Sequence, residues 1–149
     1  MSFTKLKDGK VKVYCAKLKR EEFIKGLPRT VYKVGTTAFA NAEDRFEYNA
    51  MVEDYPISST FPDIKIMHTV ICEDDYQAKK LEAYIMHTIK GNEVRFHNWY
   101  EPDQISGITE MRSWDYEEFQ KVVAIMNQFK DNKEMLDSFE FEYQGELIT

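Results

Sequence analysis

Apolar and polar positions alternate with a period of two from Val11 to Leu18. This puts Val11, Val13 and Cys15 on one face of a strand and Tyr14, Ala16 and Leu18 on the other. Gly26, Pro28 and Arg29 mark a turn, and 31–36 (VYKVGT) reads as a returning strand, giving a hairpin with a long basic connection. A helix is expected from Ala40 to about Tyr55, ended by Pro56. The β-branched alternation of 64–72 (IKIMHTVIC) predicts a third strand. Asp74 or Asp75 can cap a helix from Tyr76 to about Lys90, stopped by Gly91. The stretch 92–110 is aromatic and irregular. A helical period returns from about Tyr116 to Lys130, with Phe119, Val122, Val123, Met126 and Phe129 on one stripe. The end, 139–147 (FEFEYQGEL), fits a short strand or an acidic tail. The pattern predicts an α+β fold: a small three-stranded antiparallel sheet flanked by helices in the order β-β-α-β-α, with an extra C-terminal helix.

Composition narrows the picture. With 149 residues, 43% hydrophobic and 14% aromatic, the chain is expected to be one domain with a real core rather than a disordered segment. It carries no apolar run of membrane-spanning length and no signal-peptide pattern at its N-terminus, so a cytoplasmic setting is expected. Cys15 and Cys72 stand apart; a reduced pair suits them better than a disulfide, and His68, His87 and His97 lack zinc spacing with them. Net charge is −6, yet residues 1–35 hold ten Lys/Arg against three Asp/Glu. That basic segment suits a phosphate backbone, or it merely solvates an N-terminal arm.

Glu82 is the sharpest single candidate. On a helix over 76–90 it falls within roughly 60° of Ala78, Ile85 and Ile89, with Leu81 extending the same stripe. A carboxylate there must be paired, protonated or metal-bound, because burying it bare costs several kcal/mol. The plain alternative is a rim position that reaches solvent or a lysine.

Four fragments in order (Val13-Tyr14, Tyr32-Lys33-Val34-Gly35, Arg45 and Glu82) fall on strand, strand, helix and helix. Together they resemble the GIY-YIG nuclease superfamily, and YKVGTT at 32–37 is similar to the Tyr-Lys-Ile-Gly-Lys-Thr motif of its phage-associated branch. The resemblance covers about residues 11–115 and leaves 116–149 as a helical extension. It implies hydrolysis of DNA phosphodiester bonds with one divalent ion, Mg2+ or Mn2+, and, if phage-encoded, a place in the host cytoplasm.

The implied catalytic set is Tyr14, Lys33, Arg45 and Glu82, with Glu82 as metal ligand. Tyr14 assists the attacking water; a phenol is a weak base at neutral pH and needs nearby charge or metal. Its other role is core packing. Neighbouring strand residues face opposite ways, so only one of Tyr32 and Lys33 can share the site face with Gly35; the phage-type motif implies Lys33 in the site and Tyr32 in the core, whereas the family name would put a tyrosine in the site. Arg45 holds the scissile phosphate through its forked donors, or makes a surface salt bridge. Substrate contacts are expected from Lys17, Lys19, Arg20, Lys25, Arg29, Tyr32, Gly35 and Asn49. All four catalytic side chains are expected to converge on one concave, solvent-reachable surface.

Three departures from the family pattern stand out. Lys12 replaces the glycine of the first motif, Asn49 with Tyr48 stands where His or Tyr is common, and the overall balance is acidic. They favour a second class: a GIY-YIG-like fold without catalysis, acting as a binding or inhibitory protein with a protein partner. Gly107 to Arg112 resembles the Gly-x-x-Glu signature of phage-type members. Trp99, Tyr100 and Trp114 around it either stack on bases or cap a core.

Overall fold

The computed structural model describes residues 3–23, 28–89 and 111–143. Strands β1 (Val11–Lys19), β2 (Thr30–Thr37), β3 (Asp63–Cys72) and β4 (Met111–Arg112) form one antiparallel sheet in the order β3-β1-β2-β4. Helices α1 (Glu43–Val52), α2 (Ile57–Thr60), α3 (Asp75–Thr88) and α4 (Tyr116–Asp131) flank it, so the fold is α+β.

The expected three-stranded sheet is thus four-stranded. β4 adds only two residues, pairing with β2 at Tyr32 and Lys33, and two residues are too few to leave a periodic signal. Residues 90–110, including Trp99, Tyr100, His97 and the Gly-x-x-Glu fragment up to Glu110, lie outside the described residues, as does Lys25.

β1 is the spine. As a central strand it is covered on both faces, and Val13, Tyr14, Cys15 and Ala16 are all fully buried. Val11, Val13 and Cys15 join Tyr32 and Val34 against α3 and α4, through Ala78, Leu81, Ile85, Val122 and Phe129. Tyr14, Ala16 and Leu18 join Val31 and Met111 against Phe46 of α1 and Ile57 of α2. The strand parity read from 11–18 therefore holds.

β3 is less regular than its alternation suggests. Its register against β1 shifts between Cys15 and Ala16, so that Met67 is the extra residue of a bulge. Ile64 and Ile66 consequently pack on the α1 side, whereas Met67, Val70 and Cys72 pack on the α3 side.

α1 is shorter at both ends than expected. The Ala40 N–H donates to the Thr4 carbonyl and Phe39 pairs with Lys5, so the N-terminal arm takes the backbone that would have opened the helix. At the other end Glu53 is already extended, and Pro56 instead caps the short α2. α3 begins as read, with the Asp74 carboxylate accepting from the Gln77 N–H at 2.8 Å. α4 opens with a reciprocal capping box between Asp115 and Glu118. Its buried stripe contains Ile125 in place of the half-buried Val123, and it completes the α3-side core rather than extending from it. Residues 139–143 form no strand; Phe139 packs on Tyr84 and His87, and Phe141 on Tyr76.

Candidate functional site

β1 and β2 pair so that Tyr14 faces Gly35 directly across the ladder. The tyrosine ring lies over the glycine: a Cβ at position 35 would meet the phenol oxygen at 2.5 Å and Cζ at 2.6 Å. Gly35 is thus required for space. Crossing β2 in this way carries the hydroxyl to Lys33, whose ammonium donates to it at 2.8 Å in a buried setting. The same ammonium sits 5.2 Å from the Tyr14 ring centroid and 5.8 Å from that of Phe46, which meets Tyr14 edge-on. Because the lysine donates, the phenol oxygen is an acceptor here. Lys33 is only 7% exposed and Tyr14 is fully buried.

Tyr32 takes the other face. It is buried and stacks on Phe119, with ring centroids 4.9 Å apart, and lies 6.3 Å from Trp114. Burial, first among the causes, pushes its phenol pKa up. The structure therefore places Tyr32 in the core, on the sheet face opposite Lys33. Trp114 is also buried, with its indole N–H donating to the Ile89 carbonyl, which makes it a core cap.

Arg45 and Tyr48 project from α1 into a cavity of about 910 Å3 at the end of β2. Thr36 and Thr37 form its floor, and Asp75 and Lys79 enter from α3. Lys79 donates to the Thr36 hydroxyl at 3.0 Å. Among the described residues no hydrogen bond or ion pair engages the Arg45 guanidinium.

Glu82 lies one turn beyond Lys79, on the same side of α3. It is half-buried, and its Oε2 is shielded from solvent. α3 itself packs on the face of the sheet opposite the Tyr14 ring. The four candidates thus do not share one concave face, as the sequence pattern implied. Tyr14 and Lys33 meet on the α1 side, Glu82 stands on the α3 side, and of the four Arg45 alone lines the cavity at the end of β2. Helix facing along a stripe places a residue on its helix, but it does not say which side of the sheet that helix takes.

The remaining expected contacts divide. Lys19 and Arg29 are exposed and Lys17 is half-exposed, Lys17 and Lys19 at the start of the hairpin connection and Arg29 at its end. Arg20 is 5% exposed, its guanidinium donating to the Glu22 carbonyl and lying 5.9 Å from the Phe61 ring. That placement removes it from the expected set of surface cations. Asn49 is likewise buried beneath α1 beside Phe46, not presented to a substrate. Sequence reading missed Lys5, Lys79 and Asp75, which line the cavity; only the proximity of the N-terminal arm and α3 reveals them.

As a metal ligand Glu82 fits one place in a magnesium set, since Mg2+ commonly takes one or two carboxylates and completes its shell with water and phosphate. Among the described residues no group of three His, Cys, Asp or Glu side chains joins it. Cys15 and Cys72 are both free and buried, and burial pushes each thiol up to about 12. No helix among the described residues is long and apolar enough to cross a membrane. Compared with protein-family models, curated proteins and solved structures, the chain matches none.

Proposed function

We propose that the protein is a GIY-YIG-type endonuclease that hydrolyses DNA phosphodiester bonds with Mg2+ or Mn2+. The observation that carries this reading is the Tyr14–Gly35–Lys33 assembly. A tyrosine laid across a glycine to meet a buried ammonium is a costly arrangement for a core and a useful one for a site. Lys33 occupies a lone pair of the phenol oxygen and holds the hydroxyl in one orientation, which suits Tyr14 to assist an attacking water. Arg45, half-buried at the cavity wall, binds the phosphate through its forked donors. Glu82 would hold the ion, which supplies Lewis-acid stabilisation of the leaving oxygen when bound. Lys17, Lys19 and Arg29 position the DNA backbone.

A second reading, a binding or inhibitory protein that keeps the fold without catalysis, is favoured by the complete burial of Tyr14 and by the position of α3 across the sheet. Nicking of supercoiled plasmid separates the two. The nuclease reading expects nicked circles with Mg2+ or Mn2+, lost in Tyr14→Phe and in Glu82→Ala. DNA binding without nicking would establish the second reading, and no DNA binding at low salt would remove the nuclease and leave a protein partner.

A further inference from the structure

The cavity at the end of β2 holds more than a phosphate-binding arginine. Three cations, Lys5, Arg45 and Lys79, line it together with four aromatic rings, Phe3, Phe39, Tyr48 and Tyr143. Phe3 and Phe39 lie 5.3 Å apart, and Tyr48 meets both edge-on at 6.2 and 5.8 Å. This trio fastens the N-terminal arm to α1, which accounts for its packing but not for the 39% exposure of Tyr48 at the cavity wall. Among the described lining residues Asp75 is the one carboxylate, and it accepts from the Tyr143 hydroxyl at 2.8 Å, so cations outnumber anions there. A volume of about 910 Å3 is in the range of small-molecule sites.

We infer that this cavity binds a single unstacked nucleotide, its phosphate on Arg45, Lys5 and Lys79 and its base against Tyr48 and Phe39. Cations beside aromatic faces are how single-stranded nucleic acid is held, because every base has a π-face and every nucleotide a charge. A base inside a duplex cannot enter. The inference rests on the reading above for DNA as the substrate, and it narrows that substrate to DNA with an unpaired nucleotide, such as a flap, gap or frayed end.

The test is binding without cleavage. Metal-free protein is titrated with thymidine 5′-monophosphate and, separately, with inorganic phosphate, following backbone amide shifts of Tyr48 and Lys79. The nucleotide is expected to bind at least about ten-fold more tightly than phosphate, the contribution of one stacked base. Tyr48→Leu, which keeps apolar contact with Phe3 and Phe39, is expected to erase that preference and spare phosphate binding. Lys5→Gln, at an exposed position, is expected to weaken both ligands. Equal affinity for nucleotide and phosphate, or a preference that survives Tyr48→Leu, would overturn the inference. So would the absence of binding. Plasmid nicking in a protein that binds no mononucleotide would retain the nuclease and refute the cavity; mononucleotide binding in a protein that never nicks would do the reverse.

Discussion

Replacing Gly35 with alanine tests the central geometry directly. The new methyl would sit 2.5 Å from the Tyr14 hydroxyl oxygen and within 2.9 Å of two ring carbons. A tyrosine at a surface would swing aside cheaply. Tyr14 is fully buried, wedged against Phe46 and bonded to Lys33, so relief requires displacing the ring or separating the strands. Overpacking of this kind costs about 1–3 kcal/mol, and a buried ammonium that loses a hydrogen-bond acceptor adds about 1–3 kcal/mol. A loss of roughly 2–6 kcal/mol is expected, read as a lower urea midpoint at unchanged m and a Tm drop on the order of 5–20 °C. The decisive arm is the double-mutant cycle. With Tyr14→Ala as background the added methyl points into vacated space, and Gly35→Ala is then expected to cost nothing or to stabilise by about 0.5–1 kcal/mol, since alanine orders a strand better than glycine. An equal cost in both backgrounds would show that position 35 needs glycine for its backbone and not for the tyrosine.

Four further outcomes follow from the same contacts. Tyr14→Phe removes an acceptor from the buried Lys33 ammonium and is expected to cost about 1–3 kcal/mol in urea melts, most of it recovered when Lys33→Met is added; no recovery would mean the pair is not coupled. Glu82→Ala is expected to reduce Mg2+-dependent nicking to background with little loss of Tm, because a half-buried carboxylate leaves an apolar stripe; a mutant that unfolds would make Glu82 a structural partner. Glutamine at Lys17, Lys19 and Arg29 together is expected to flatten the dependence of DNA affinity on salt, and an unchanged slope would place the DNA elsewhere. Stability is expected to be fully present below pH 9 and to fall as pH rises toward 12. The folded thiols of Cys15 and Cys72 are held up to about 12 from 9.0, and the unfolded chain ionises first. Urea midpoints at pH 8 and pH 10.5 for the wild type and a Cys15→Ala/Cys72→Ala variant check this, with a smaller drop expected in the variant.

The hairpin was readable from the chain because β1 alternates cleanly, and parity showed that Tyr32 and Lys33 take opposite faces, while the motif resemblance chose between them. Asp74 as cap and the α4 stripe were readable because local chemistry decides both. β4 was not, being two residues long, and neither was the bulge at Met67, since 64–72 alternates as though it were flat. The candidate site was legible as residues more than as a place. No local pattern records that α3 crosses to the face opposite Tyr14, or that Arg20 and Asn49 are drawn inside. Lys5 and Lys79 lie too far apart in sequence for any spacing to link them.

β1 belongs to both cores at once, and this bears on how the molecule comes apart. Val13 and Cys15 anchor one apolar cluster and Tyr14 and Leu18 the other, so neither layer can melt without exposing the strand that supports its neighbour. The two layers therefore form one cooperative unit, and the amides of β1 are expected to exchange with solvent only through global opening. The partners of β1 differ in what they require. The hairpin with β2 closes locally, but pairing Val11 with Cys72 first demands closure of a loop of about sixty residues. Assembly of this sheet thus has a natural sequence in time: the strand pair carrying Tyr14, Lys33 and Gly35 forms early, and β3 docks onto it late.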